Sequence, residues 1–103
     1  MEAKMRLPPV VVTRHAALVA LLQERGIIKD DSVSVIAHAT PADITGRDVI
    51  GVLPLALAAL ARSVTEIPLN LSPEMRGKEL DLDTLRRIAG PAVAYRVKRL
   101  CAL

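Results

Sequence analysis

"VVVTRHAALVALL", residues 10–22, joins two different patterns at its middle. Val10, Val11 and Val12 form an unbroken β-branched run, as in a central strand covered on both faces. An alanine- and leucine-rich run follows at once, with Leu18, Leu21 and Leu22 spaced to share one side of a helix. Between the two stand Thr13, Arg14 and His15. The spacing predicts a strand over 10–13 and a helix over 16–24, with Gly26 where a C-terminal cap belongs. A hydroxyl, a guanidinium and an imidazole thus fall at the carboxyl end of a strand, beside the first turn of a helix.

The same alternation continues along the chain. Pro8 and Pro9 set the start of the first strand. Asp30, Asp31 and Ser32 make a turn before a second strand over 33–38. Thr40 to Arg47 reads as a polar loop, and "DVIGVL", 48–53, as a third strand. Pro54 opens a second helix at a first-turn position that proline favours, and "LALAALARS", 55–63, is rich enough in small residues to lie close to a sheet. Residues 65–71 read as a fourth strand, with Pro68 placing it near an edge. A loop over 72–80 leads to a short helix over 81–89, started by Asp81 or Asp83. Residues 91–98 read as a last strand, with Val93, Tyr95 and Val97 on one face. Strands alternating with helices predict one α/β domain over 1–103, residues 1–8 being a short tail, with a mostly parallel sheet of about five strands.

Composition narrows the function classes. The chain has 103 residues, 51% of them apolar, with one tyrosine and neither Phe nor Trp. The core must therefore be aliphatic, and the aromatic platforms that stack single-stranded nucleic acid are missing. A net charge of +3 is a mild bias toward anionic partners and not a surface for coating long nucleic acid. Cys101 is the only cysteine, and with two histidines it makes a poor zinc set. No metal or cofactor is expected. The start MEAKMRLPP lacks the apolar core of a signal peptide. The longest apolar run, Val49 to Ala61, contains a proline and is too short to span a bilayer. A reducing cytoplasm is the expected setting, with no membrane contact. There is no GxGxxG, P-loop, CxxC pair or carboxylate cluster at metal spacing.

In parallel α/β sheets ligands sit beyond the carboxyl ends of the strands, near the point where strand order reverses. Thr13, Arg14 and His15 are placed there, where helix N–H groups already favour an anion. His38 ends the second strand in the same way, although an internal structural histidine is an equal reading. Gly51 inside a strand marks the close approach of backbone, helix or ligand. Arg76, Gly77, Lys78 and Glu79 follow the fourth strand as a loop. They are either ligand contacts or a solvated turn held by an Arg76–Glu79 ion pair. Tyr95, a lone tyrosine on a strand, reads as core, and Cys101 as an incidental thiol.

Four stretches together carry a resemblance: "VVVTRHAALVALLQERG" (10–26), "VIAHATPADITGRDVIGVLPLALAA" (35–59), "IPLNLSPEMRGKEL" (67–80) and the terminal "YRV" (95–97). In order and spacing they resemble a family of small, stand-alone CRISPR-associated proteins of the Csx type, found beside type III effector genes. The resemblance covers residues 9–97. It implies a single Rossmann-like three-layer domain akin to those that sense cyclic oligoadenylate messengers. It also implies ring nuclease activity that cleaves cyclic tetra-adenylate without metal and switches off the antiviral signal. The matching positions are Thr13, Arg14, His15, Gly51, Arg76, Gly77 and Glu79, with His38 at a position where the family often carries histidine.

Such a ring can be opened by attack of a ribose 2′-OH on its neighbouring phosphodiester. Alignment, charge stabilisation and proton movement are then the protein's tasks. Arg14 and Arg76 suit charge stabilisation because a guanidinium forks onto two phosphate oxygens. His15 suits proton transfer, while Glu79 suits an orienting role. Thr13, Gly51, Gly77, Glu79 and His38 are the expected ligand-binding positions. One domain of this size cannot enclose a four-fold ring, so a homodimer is expected, with the helix over 55–61 and the strand "AVAYRV" as candidate surfaces. A module that sequesters or senses the messenger without cutting it is the alternative.

Overall fold

The computed structural model describes residues 8–29 and 33–103. The expected tail before Pro8 and the turn at Asp30, Asp31 and Ser32 lie outside the described residues. Five strands, β1 (Val10–Val12), β2 (Ser34–Ile36), β3 (Asp48–Gly51), β4 (Ser63–Glu66) and β5 (Val93–Tyr95), form one sheet in the order β2-β1-β3-β4-β5. The first four run parallel and β5 runs antiparallel to β4. Helices α1 (Ala16–Glu24), α2 (Pro41–Ile44), α3 (Leu55–Ala58) and α4 (Leu82–Ile88) fill the connections. The chain is a small mixed α/β domain with a mostly parallel sheet, and among the described residues no helix is long and apolar enough to cross a membrane.

The strands bury residues alternately into two clusters. Val11 and Ile50 join Leu18, Leu21 and Leu22 of α1 and Leu85 of α4 in one cluster. Val49 and Val64 join Ile44 of α2 and Ala58 of α3 in the other. Burial on both faces explains why the first strand is a continuous valine run and does not alternate with polar residues. Both clusters are aliphatic, as the composition requires. Fully burying a leucine such as Leu21 or Leu22 contributes roughly 1.5–3 kcal/mol.

Local chemistry fixes the helix ends. Gly26, at φ 74°, adopts the left-handed conformation that ends α1, and its N–H donates to Gln23 O at 3.0 Å. The Arg25 guanidinium then donates to Gly90 O at 2.7 Å and Ala89 O at 3.2 Å, covering carbonyls at the end of α4. Arg86 of α4 reaches back to Glu24 of α1 through two oxygens, with NH2 at 2.6 Å from Oε1 and Nε at 2.9 Å from Oε2. Asp81 caps α4, its Oδ1 accepting the Thr84 N–H at 2.8 Å.

Four expectations are corrected. The segment read as a polar loop over 40–47 contains α2, opened by Pro41 and by a capping box in which the Thr40 N–H donates to Asp43 Oδ2 at 2.8 Å. The fourth strand is shifted toward the N-terminus and ends before Pro68. It lies near the edge as expected, one strand in, with β5 outside it. After it, Leu69 bridges to Ala89 in antiparallel fashion and the Gly90 N–H donates to Pro68 O at 2.7 Å. The second helix is only the turn Leu55–Ala58, and residues 59–62 leave it. Tyr95 is not core; it is half exposed on β5.

Gly51 marks the close approach of backbone. It pairs with Val12 at φ 140°, and a Cβ there would stand 2.4 Å from the Val12 carbonyl oxygen. Gly51→Ala is expected to lose about 2–4 kcal/mol of stability through strain and overpacking, measured by urea denaturation. An unchanged midpoint would contradict the contact.

Four described carboxyl groups, Glu24, Asp43, Glu74 and Asp81, titrate below their ordinary range, and three of them tie elements together or cap a helix. Glu24 is held down by the hydrogen bond from Arg86, Asp43 by the Thr40 N–H and then its hydroxyl, and Asp81 by Thr84. Each folded pKa lies below the unfolded one. Their stabilisation is therefore complete above about pH 4 and disappears as pH falls through the lowered values. The melting temperature should be flat from neutrality to about pH 5 and fall below about pH 4. Asp81→Asn, which keeps a cap but takes up no proton, should flatten the fall.

Candidate functional site

The strand order dictates where a ligand site can form. β1 has β2 on one side and β3 on the other, so the segments leaving β1 and β3 part in opposite directions. The crevice beyond their carboxyl ends is the switch point of the sheet. A cavity of about 250 Å³ lies there, lined by Thr13, Arg14 and His15 after β1, Ala37 after β2, Gly51 and Val52 at the end of β3, and Ile67 and Leu69 after β4.

The corner from β1 to α1 is built by its own side chain. The Thr13 N–H donates to Ile36 O at 2.9 Å, continuing the β1–β2 pairing by one residue. Thr13 Oγ1 then accepts the His15 N–H at 3.0 Å, a local turn that sends the chain into the helix. His15 is the N-cap of α1 through its extended backbone, with φ −107° and ψ 110°, and its side chain makes no cap bond. Its carbonyl accepts the Leu18 N–H at 3.0 Å. The first N–H groups of a helix have no partner within it, and here they belong to Ala16 and Ala17 beside the cavity.

The side chains at this corner differ in their engagement. Arg14 is exposed and forms no ion pair or hydrogen bond among the described residues. His15 is half-buried, and its Nδ1 is shielded from solvent with no hydrogen-bond partner among the described residues. A buried nitrogen left unpaired costs about 1–3 kcal/mol, and such exceptions in folded proteins call for an explanation.

Thr13, Arg14, His15 and Gly51 line one cavity; His38, Arg76, Gly77 and Glu79 do not line it. His38 is exposed and follows Ala37, the last β2-side residue of the cavity wall. Arg76 closes the 3-10 turn Pro73–Met75, and Arg76, Gly77 and Glu79 are all exposed. Arg76 and Glu79 form no ion pair with each other. The apolar wall, Val52, Ile67 and Leu69, carries no chemical signature in sequence. Ending the fourth strand before Pro68 would have placed Ile67 and Leu69 beyond a strand end.

A larger groove of about 530 Å³ lies at the opposite end of the sheet, lined by Asp48, Arg62, Ser63, Thr65 and Arg96 among others. Three of its polar groups, Asp48, Arg62 and Ser63, serve one another. Arg62 pairs with Asp48 at 3.1 Å and the Ser63 hydroxyl donates to Asp48 at 2.7 Å. These bonds tie the start of β3 to the start of β4. Among the described residues no three His, Cys, Asp or Glu side chains gather as a metal site.

The chain is a small mixed α/β domain with a mostly parallel sheet, and its cavity lies beyond the strand ends, where ligand sites of such sheets form. Residues 10–98 match the family described as "Putative CRISPR-associated protein (Cas_VVA1548)", and the chain belongs to that CRISPR-associated family. No curated protein and no solved structure matches it.

Two substitutions separate the structural from the available side chain. Thr13→Val removes the acceptor of the His15 N–H and should lower stability by about 1 kcal/mol. Arg14→Ala should change it by less than about 0.5 kcal/mol. Thermal unfolding of both variants is the check; a destabilised Arg14→Ala would mean that its guanidinium is already engaged.

Proposed function

We propose that the chain is a type III CRISPR-associated ring nuclease that opens cyclic tetra-adenylate without metal and so ends the antiviral signal in the cytoplasm. The observation that carries this reading is that a guanidinium and a shielded imidazole nitrogen, neither with a partner among the described residues, stand together at a helix N-terminus on the sheet's switch point. Membership of a CRISPR-associated family supplies the setting. We read the two apolar clusters as the two sides of a Rossmann-like three-layer domain.

The chemistry follows from the residues of the corner. A ribose 2′-OH attacks the adjacent phosphorus in line, the P–O5′ bond breaks, and the products are a 2′,3′-cyclic phosphate and a 5′-hydroxyl. The proton leaving the 2′-OH is balanced by one gained at O5′. His15 is the group for this transfer, since imidazole both accepts and donates protons near neutrality. Arg14 and the first N–H groups of α1 face the charge that grows on the phosphoryl oxygens. Thr13 holds the corner, and Gly51 lets β3 run close enough to β1 to form the opposite wall.

The cavity is smaller than the roughly 300–1,000 Å³ of ordinary ligand pockets, so it takes one nucleotide unit of the ring and leaves the remainder outside. Arg76, Gly77, Glu79 and His38, exposed and outside the cavity wall, are the groups we assign to those outer units. A second copy of the chain would take the equivalent phosphate on the other side of the ring.

Incubation with cyclic tetra-adenylate and EDTA should give linear products ending in cyclic phosphate. His15→Ala should lower turnover about 100- to 10,000-fold with binding retained, and Arg14→Ala should weaken binding itself. Tight binding of an intact ring would favour the sequestering module, and no affinity for cyclic oligoadenylates would end the reading.

A further inference from the structure

The switch-point cavity is built unevenly. Thr13, Arg14 and His15 stand on its polar side, and Val52, Ile67 and Leu69 make its apolar wall. Among the described residues no Asp, Glu, Asn or Gln lines it. In the ring-nuclease reading the polar side is already committed. Arg14 and the first N–H groups of α1 face the phosphodiester, and His15 moves the proton. Thr13 Oγ1 accepts the His15 N–H at 3.0 Å. Backbone along the wall is engaged as well: Leu69 O accepts the Leu71 N–H at 3.1 Å, Leu69 bridges to Ala89, and Gly51 pairs with Val12.

A base seated here meets aliphatic carbon and no spare side chain that reads its edge. Adenine is told from other purines at that edge, where its 6-amino group needs an acceptor. Val52, Ile67 and Leu69 supply none. They offer a dry surface to the flat face of the base, and every purine presents such a face. Resting on the ring-nuclease reading, we propose that the cavity selects the ribose–phosphate frame of a cyclic tetranucleotide and not the identity of its purine bases. The substrate class is then cyclic purine tetranucleotides, of which the adenine ring is one member.

Magnitudes set how far this tolerance reaches. A site built to hydrogen-bond a polar group of its substrate rejects an analogue lacking that group by about 10⁴- to 10⁵-fold, whereas an apolar pocket discriminates by only about 10- to 200-fold. The wall of Val52, Ile67 and Leu69 is of the second kind. The cavity of about 250 Å³ takes one unit, so the other bases lie outside it. His38, Arg76 and Glu79, assigned to those outer units, are exposed. A bond from one of them to a base edge replaces a bond to water and adds little discrimination.

The test is the opening of two rings by the full chain in EDTA: cyclic tetra-adenylate, and cyclic tetra-inosinate, whose bases carry a carbonyl where adenine carries its amino group. Their kcat/KM values should agree within about 200-fold. A wider gap in favour of the adenine ring would overturn the inference and leave the ring-nuclease reading standing. Val52→Ala, at a wall position that is 70% exposed, should raise KM for both rings by one common factor of up to about tenfold, with kcat unchanged. A loss confined to one ring would overturn the shared wall. A protein that opens neither ring would sink the ring-nuclease reading, and this inference with it.

Discussion

The double pairing of β1 is the constraint on which the molecule depends. Val10, Val11 and Val12 are hydrogen-bonded to β2 on one side and β3 on the other, all in parallel register. A strand held this way has no free edge and no free face, so only aliphatic residues serve it. Its chain must leave at the carboxyl end, and there the pairing stops and polar residues become possible. The close pass of Gly51 against the Val12 carbonyl brings the two diverging strand ends together. Fold and site thus share one origin: the bonds that hold the three valines of β1 also open the crevice lined by Thr13, Arg14 and His15.

An aliphatic chain builds this crevice differently from an aromatic one. No Phe, Tyr or Trp lines it, and its apolar wall is made of Val52, Ile67 and Leu69. Recognition must then come from charge, backbone N–H groups and shape. Under the proposed function that division fits a ligand whose reacting centre is a phosphodiester, and the small positive net charge fits such a ligand better than it fits a long polyanion. The one aromatic side chain is left for the sheet edge.

Much of this was legible in the sequence where pattern and chemistry agree. Leu18, Leu21, Leu22 and Gly26 announce α1 because helix spacing and a left-handed cap coincide. The corner after β1 was legible because polar residues interrupt an apolar run at a strand end. Elsewhere the signals conflicted. Ile67 to Leu71 looks more like a strand than Ser63 to Glu66, yet Pro68 cannot supply a ladder N–H, and pairing goes to the more polar segment. α2 was hidden because four residues show no apolar period, although Thr40 and Asp43 stand at capping-box spacing. The direction of β5 has no local signature, since alternation reads the same both ways. The outer loop with Arg76 shows the limit for the site: sequence order brings it after a strand end, but only packing decides which side chains line the cavity.

The most direct measurement is an amide and imidazole chemical-shift map of the protein titrated with cyclic tetra-adenylate. The largest shifts should fall on Thr13, Arg14, the His15 ring and the first turn of α1. Shifts centred instead on Asp48, Ser63 and Thr65, at the other end of the sheet, would contradict the placement of the site.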